Sequence, residues 1–164
     1  MKVTVLGLGN AVLTDDSVGL RVAERVAEDL RRHPLPPCIS VEVVCNEAGG
    51  WEILDDVEGA DALLLVDAIL DKELRPGDFA WFPRKVFTSP RLTGVHNMDV
   101  FTAMDFARRH GMKMPDDIHV LGVGVEDTRT FSETCTPAVE RAIPVIAEAV
   151  ARRLSELAAS TESR

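Results

Sequence analysis

The stretch Ala62-Leu63-Leu64-Leu65-Val66-Asp67 constrains the fold most, because it is the most apolar strand in the chain and it closes on a carboxylate. Val3 to Leu8 is a second short apolar run, rich in β-branched residues, and it ends at Gly7-Leu8-Gly9-Asn10. Near-continuous apolar runs of this length belong to strands covered on both faces, as in parallel sheets.

Helical patterns separate these strands. From about Ser17 to Arg32, Val18, Val22, Val26 and Leu30 recur every four residues, with Arg21, Arg25, Glu28 and Asp29 on the opposite face. His33 and Pro34 end that helix, and Pro34 to Pro37 forms a stiff connector. Ile39 to Val44 reads as strand two and Trp51 to Val57 as a short helix. Pro76-Gly77-Asp78 turns the chain into strand four, Phe79 to Phe82. The link from strand three to strand four is too short for a helical crossover, so this pair is expected to be antiparallel. Met98 to Arg109 reads as helix three, closed by His110-Gly111, and Ile118 to Val123 as strand five.

Thr136-Pro137 looks like an N-cap followed by proline at the first helical position. The last helix carries Val139, Ile143, Ile146, Val150, Leu154 and Leu157 on one stripe, and Pro144 is expected to kink it or delay its regular start. Residues 159–164 are small and polar and are expected to fray. The expected architecture is therefore a three-layer αβα sandwich around a five-stranded, mostly parallel sheet with one antiparallel strand. A single domain spans residues 1–158.

Composition mainly excludes. With 164 residues, 46% of them hydrophobic, the chain suits one domain with a sizeable core. A net charge of −9 argues against binding nucleic-acid backbones or anionic lipid. No apolar stretch approaches the roughly 20 residues of a membrane helix. Cys38, Cys45 and Cys135 are odd in number and widely spaced, with no metal-binding or disulfide pattern, so a reducing, cytoplasmic setting is expected.

In sheets of this kind ligands gather beyond the carboxyl ends of the strands. Three polar elements fall there: Asp15-Asp16 after strand one, Asp67 at the end of strand three, and His96 within Thr93-Gly94-Val95-His96-Asn97 before helix three. Two carboxylates and an imidazole suit a divalent transition metal with open positions. Each residue has a plainer reading. One acid of the pair caps helix one, a role assigned to Asp15, and Asp15→Asn would then cost about 1 kcal/mol or less. Asp67 alternatively starts a turn, and His96 alternatively sits on a surface loop. Burying Asp67 alone is costly, so it needs a partner or solvent. His33 and His110 suit helix C-termini and His119 a strand rim. Cys45 is expected to pack as a small hydrophobe rather than act as a ligand or reactive thiol.

Two other classes fit less well. A dinucleotide-binding loop would need a third glycine where Val12 stands, and without it helix one is not expected to approach the strand closely. A phosphoacceptor receiver would place its acids directly after the strand. It would also place a lysine after strand five, where Val125-Glu126-Asp127 stand.

Gly7-Leu8-Gly9-Asn10-Ala11-Val12-Leu13-Thr14-Asp15-Asp16 with Gly19, Val66-Asp67-Ala68, His96-Asn97-Met98, and Gly122-Val123 through Thr136-Pro137-Ala138-Val139 occur in the order of the hydrogenase maturation endopeptidases, which this chain resembles. The resemblance spans nearly the whole chain. It implies a single αβα peptidase domain that removes a C-terminal extension from the large-subunit precursor of a nickel–iron hydrogenase. It further implies that Asp16, Asp67 and His96 are the metal-contacting and catalytic residues, and that the nickel is carried by the precursor. No organic cofactor and a monomeric state are expected. After strand two the family usually has Asp-Gly-Gly-Thr, whereas this chain has Cys45-Asn46-Glu47-Ala48-Gly49-Gly50, and Ser17 replaces a frequent glycine. These departures bear on substrate contact and imply a different hydrogenase class from that of the best-known members. A related peptidase with another substrate is the alternative.

Overall fold

The structure is a computed structural model and describes residues 1–70, 74–84 and 100–162. Five strands, β1 (Lys2–Leu8), β2 (Ser40–Asn46), β3 (Ala62–Ile69), β4 (Phe79–Phe82) and β5 (Asp117–Gly124), form one sheet in the order β2-β1-β3-β5-β4. All neighbours are parallel except β4 and β5. Four helices flank the sheet: α1 (Val18–Arg32), α2 (Ile53–Val57), α3 (Val100–Arg109) and α4 (Pro137–Glu162).

Alternation along the central strands divides the core into two layers. Val3, Val5, Leu64, Val66, Leu121 and Val123 face α1 and α4. Leu6, Leu8, Leu63, Leu65 and Val120 face α2 and α3. Full burial of such a side chain contributes about 1.5–3 kcal/mol, so the doubly covered strands β1, β3 and β5 carry much of the stability. The six stripe positions of the last helix, Val139, Ile143, Ile146, Val150, Leu154 and Leu157, are all buried.

Several expectations change. Strand β4 runs antiparallel as expected, but it pairs with β5, which lies between it and β3. The connection spans two strand spacings, about 10 Å, which residues 70–78 easily cover. The tail expected to fray from residue 159 is helical through Glu162. Leu157 and Ala158 are buried, and the Thr161 hydroxyl donates to the Leu157 carbonyl at 2.9 Å, which holds the last turn. Helix α4 also starts at Pro137 and continues through Pro144, so its start is not delayed.

Helix α1 approaches the sheet closely, against the expectation drawn from Val12. Gly19 lies in its first turn, and a Cβ there would stand 2.2 Å from the Leu8 carbonyl oxygen and 2.5 Å from that of Val66. On the strand side, a Cβ on Gly7 would meet the Gly19 carbonyl oxygen at 2.2 Å. Gly7 and Gly19 together let the start of α1 rest on the ends of β1 and β3.

Candidate active site

The close seating of α1 brings the preceding 3-10 turn, Asp15–Ser17, against β3. Asp16 lies in this turn and is half-buried. Gly9 fixes its backbone from below, because a Cβ on Gly9 would stand 2.3 Å from the Asp16 carbonyl oxygen. The Asn10 N–H donates to that same carbonyl at 3.3 Å.

Asp67 is the sixth residue of β3 and only 1% exposed. It pairs with Gly122 of β5, one step beyond the last β1–β3 partners, Gly7 and Val66. It therefore stands near the carboxyl end of β3, two residues before Ile69 rather than at the strand's last position, and β3 contacts the turn that carries Asp16. Its Oδ1 accepts the N–H of Ala68 at 2.9 Å. Asp16 and Asp67 thus lie toward the side of the sheet that the topology designates for ligands. His96 lies outside the described residues. Among those described, no three His, Cys, Asp or Glu side chains are grouped to hold a metal ion.

Asp15 does not cap α1. Neither the 3-10 turn nor α1 has a side-chain N-cap hydrogen bond. The Asp15 side chain is fully buried and bonds to the β5–α4 connection. Its Oδ2 accepts the N–H groups of Glu126 and Asp127, each at 3.2 Å, and the Thr136 hydroxyl at 3.0 Å. Its Oδ1 accepts the Thr136 N–H at 2.7 Å. Four donors offset the desolvation of this carboxylate. Thr136 consequently spends its hydroxyl on Asp15.

The same connection is braced further along. Thr14 donates through both its N–H and its hydroxyl to the Thr130 carbonyl, at 3.0 and 2.6 Å. Leu13 forms an antiparallel bridge with Phe131, and Ser132 N–H donates to the Val12 carbonyl at 3.2 Å. Asp127 accepts the N–H groups of Arg129 and Thr130, at 3.0 and 2.9 Å. The Thr130 side-chain bond first, then these backbone bonds, hold its carboxyl below the usual range.

On the other flank, the segment that departs from the family pattern is also ordered by hydrogen bonds. The Asn46 side-chain oxygen accepts the N–H groups of Ala48 and Gly49, at 2.9 and 2.8 Å, and its amide donates to Asp56. Gly49 has φ 72°, a conformation that favours glycine. Glu47 reaches across to accept the Ala11 N–H at 2.9 Å. The loops after β1, β2 and β5 are therefore joined into one rim.

Two of the three cysteines have thiols shifted upward. Although the residue is exposed as a whole, partial desolvation of its sulfur beside the Leu20 carbonyl, followed by the nearby charges of Glu24 and Glu47, pushes the Cys45 thiol above its ordinary value. Burial likewise raises Cys135, which packs against the Ser17 hydroxyl. Cys45 is exposed at the strand end rather than packed as a small hydrophobe. His33 and His110 are exposed residues at the ends of α1 and α3, and His119 Nε2 lies 3.0 Å from the Asp117 carboxylate.

The structure is thus a three-layer α/β sandwich with Asp16 and Asp67 toward the carboxyl side of its sheet. The comparisons with known proteins make this specific. A sequence model of the hydrogenase maturation proteases (HycI) matches residues 21–153. The hydrogenase 2 maturation protease of Escherichia coli is 32% identical, over 90% of this chain and 92% of its own. The hydrogenase expression/formation protein HupD of Bradyrhizobium diazoefficiens is 29% identical over 97% and 86%. Among solved structures, the hydrogenase maturating endopeptidase HybD from E. coli superposes with a TM-score of 0.70 at 28% identity, covering 95% of this chain and 93% of that one. The chain belongs to the hydrogenase maturation protease family and is a peptide hydrolase. No helix among the described residues is long and apolar enough to cross a membrane.

Proposed function

We propose that this protease cuts the C-terminal extension from the nickel-loaded large-subunit precursor of a nickel–iron hydrogenase, acting in the cytoplasm as a monomer. Asp16, Asp67 and His96 contact the nickel that the precursor carries. The observation that carries this reading is the presence of Asp16 and the buried Asp67 toward the carboxyl side of the sheet. Carboxylates of this kind, with an imidazole, form an incomplete shell for a divalent ion, which ligands from the precursor would complete. An ion held there would be able to supply Lewis acidity as well as recognition.

A polypeptide substrate also fits the surface. Of the large hydrophobic side chains exposed among the described residues, Phe106 and Val145 lie on α3 and α4, whereas Val12, Leu70 and Phe131 lie in loops after strands and Trp51 in the 3-10 turn after β2. Phe131 is 80% exposed on a connection braced by hydrogen bonds along its length. Apolar groups fixed in water at one edge suit contact with a protein chain.

Incubation with nickel-loaded and nickel-free precursor, followed by intact-mass measurement, tests the reading. Loss of the tail only from the loaded form is expected. Cleavage of both forms, or of neither, refutes it.

A further inference from the structure

We infer that Asp15 is a positioning residue for the proteolytic site: it locks the β5–α4 connection to the β1–α1 loop and thereby fixes where the adjoining Asp16 is presented. The inference rests on the proposed role of Asp16.

The geometry is specific to this residue. Asp15 is fully buried and collects all four of its side-chain hydrogen bonds from residues 111 to 121 positions away. Its own N–H returns the connection by donating to the Asp127 carbonyl at 2.9 Å. The carboxylate therefore accepts from Glu126, Asp127 and Thr136 while the backbone beside it donates to Asp127, so the two loops are tied in both directions. Asp16 follows directly, and its carbonyl is held by Asn10 and crowded by Gly9. The turn bearing Asp16 is thus fixed on the sheet side by β1 and on the outer side by the β5–α4 connection. Site groups must be held closely, because a displacement of about 1 Å costs about a hundredfold in rate.

An asparagine at position 15 has the same shape but only one acceptor oxygen. Its amide N–H₂ would face either the Glu126 and Asp127 amides or the Thr136 amide, donor against donor. Thr136→Val removes one of the four bonds and leaves the backbone donors in place, whereas Thr136→Ser keeps the hydroxyl.

The test combines hydrogen–deuterium exchange on the protease alone with steady-state processing of nickel-loaded precursor. Asp15→Asn should lose amide protection in residues 10–17 and 125–136 while β1, β3 and β5 stay protected. Its turnover should fall about a hundredfold with KM little changed. Thr136→Val should show a smaller loss of both kinds, and Thr136→Ser should restore them. Unchanged protection in both loops overturns the inference, as does unchanged turnover in Asp15→Asn. Loss of protection throughout the sheet assigns Asp15 to general stability instead, provided Thr136→Val leaves turnover intact. If the wild-type protein fails to cut the precursor, the proposed substrate is wrong, and the exchange data alone still decide whether Asp15 couples the loops.

Discussion

Asp15 accepts both the N–H and the hydroxyl of Thr136, at 2.7 and 3.0 Å, across 121 residues of sequence. A hydrogen bond to a buried charged group contributes about 1.5–3 kcal/mol. Thr136→Val should therefore lower stability by about 2 kcal/mol, read as a shift in the urea midpoint at unchanged slope. Asp15→Asn should cost at least as much, well above the value of about 1 kcal/mol or less expected of a helix cap. A loss at the capping level would contradict the buried network.

Gly19 should tolerate no side chain. The atoms that a Cβ would meet there are backbone, the carbonyl oxygens of Leu8 and Val66, so neither can rotate away. Gly19→Ala should destabilise by about 3 kcal/mol, the upper end of ordinary overpacking costs, and should also impair processing by lifting the Asp16 turn. Crystallography or chemical denaturation of this variant would expose an error, since an unshifted α1 with full stability is incompatible with the contact.

Phe131 offers a separable prediction about the substrate. Because it is 80% exposed and makes little contribution to the core, Phe131→Ser should leave the melting temperature nearly unchanged. It should raise KM for the precursor about tenfold while kcat stays close to wild type, as expected when binding common to ground and transition states is removed. Steady-state kinetics with purified precursor distinguish this from an unaltered KM, which would remove Phe131 from the docking surface.

Cys45 should be a slow nucleophile despite its exposure. Its raised pKa keeps it as the thiol at neutral pH, and only the thiolate is reactive. Alkylation by iodoacetamide at pH 7.5 should proceed more slowly than for a free cysteine peptide, and should accelerate as pH rises through the elevated pKa. Processing should survive Cys45→Ser. Rapid alkylation coupled to inactivation would reverse this assignment.

What could be read from sequence was periodic or terminal. Val139 to Leu157 gave the buried stripe of α4, and the run Ala62 to Val66 gave the doubly covered strand β3, because helix and strand periods are local properties. Asp67 is not the strand end that the apolar run suggests, because β3 stays paired with β5 for two further residues, through Ile69. The position of β4 was not legible, because connection length sets direction more firmly than neighbour. The sequence suggests a cap at Asp15 because its actual partners Glu126, Asp127 and Thr136 are distant in sequence, while the capping preference is local. Gly19 was visible in the sequence, yet only the fold reveals that it replaces the close-packing role looked for at Val12. The α4 terminus extends further than its polar composition suggested because Ala158 is buried and Thr161 bonds back to Leu157.

In the proposed function, Asp16, Asp67 and His96 meet nickel held by the precursor. Titration of the protease against nickel-loaded and nickel-free precursor, using wild type and His96→Ala, tests it most directly. An ion bridging the two proteins contributes to affinity only when present. Wild type should bind the loaded form much more tightly, His96→Ala should lose that increment, and both should bind the nickel-free form alike. Equal affinity of wild type for the two forms, together with cleavage of the nickel-free one, would contradict the proposed function.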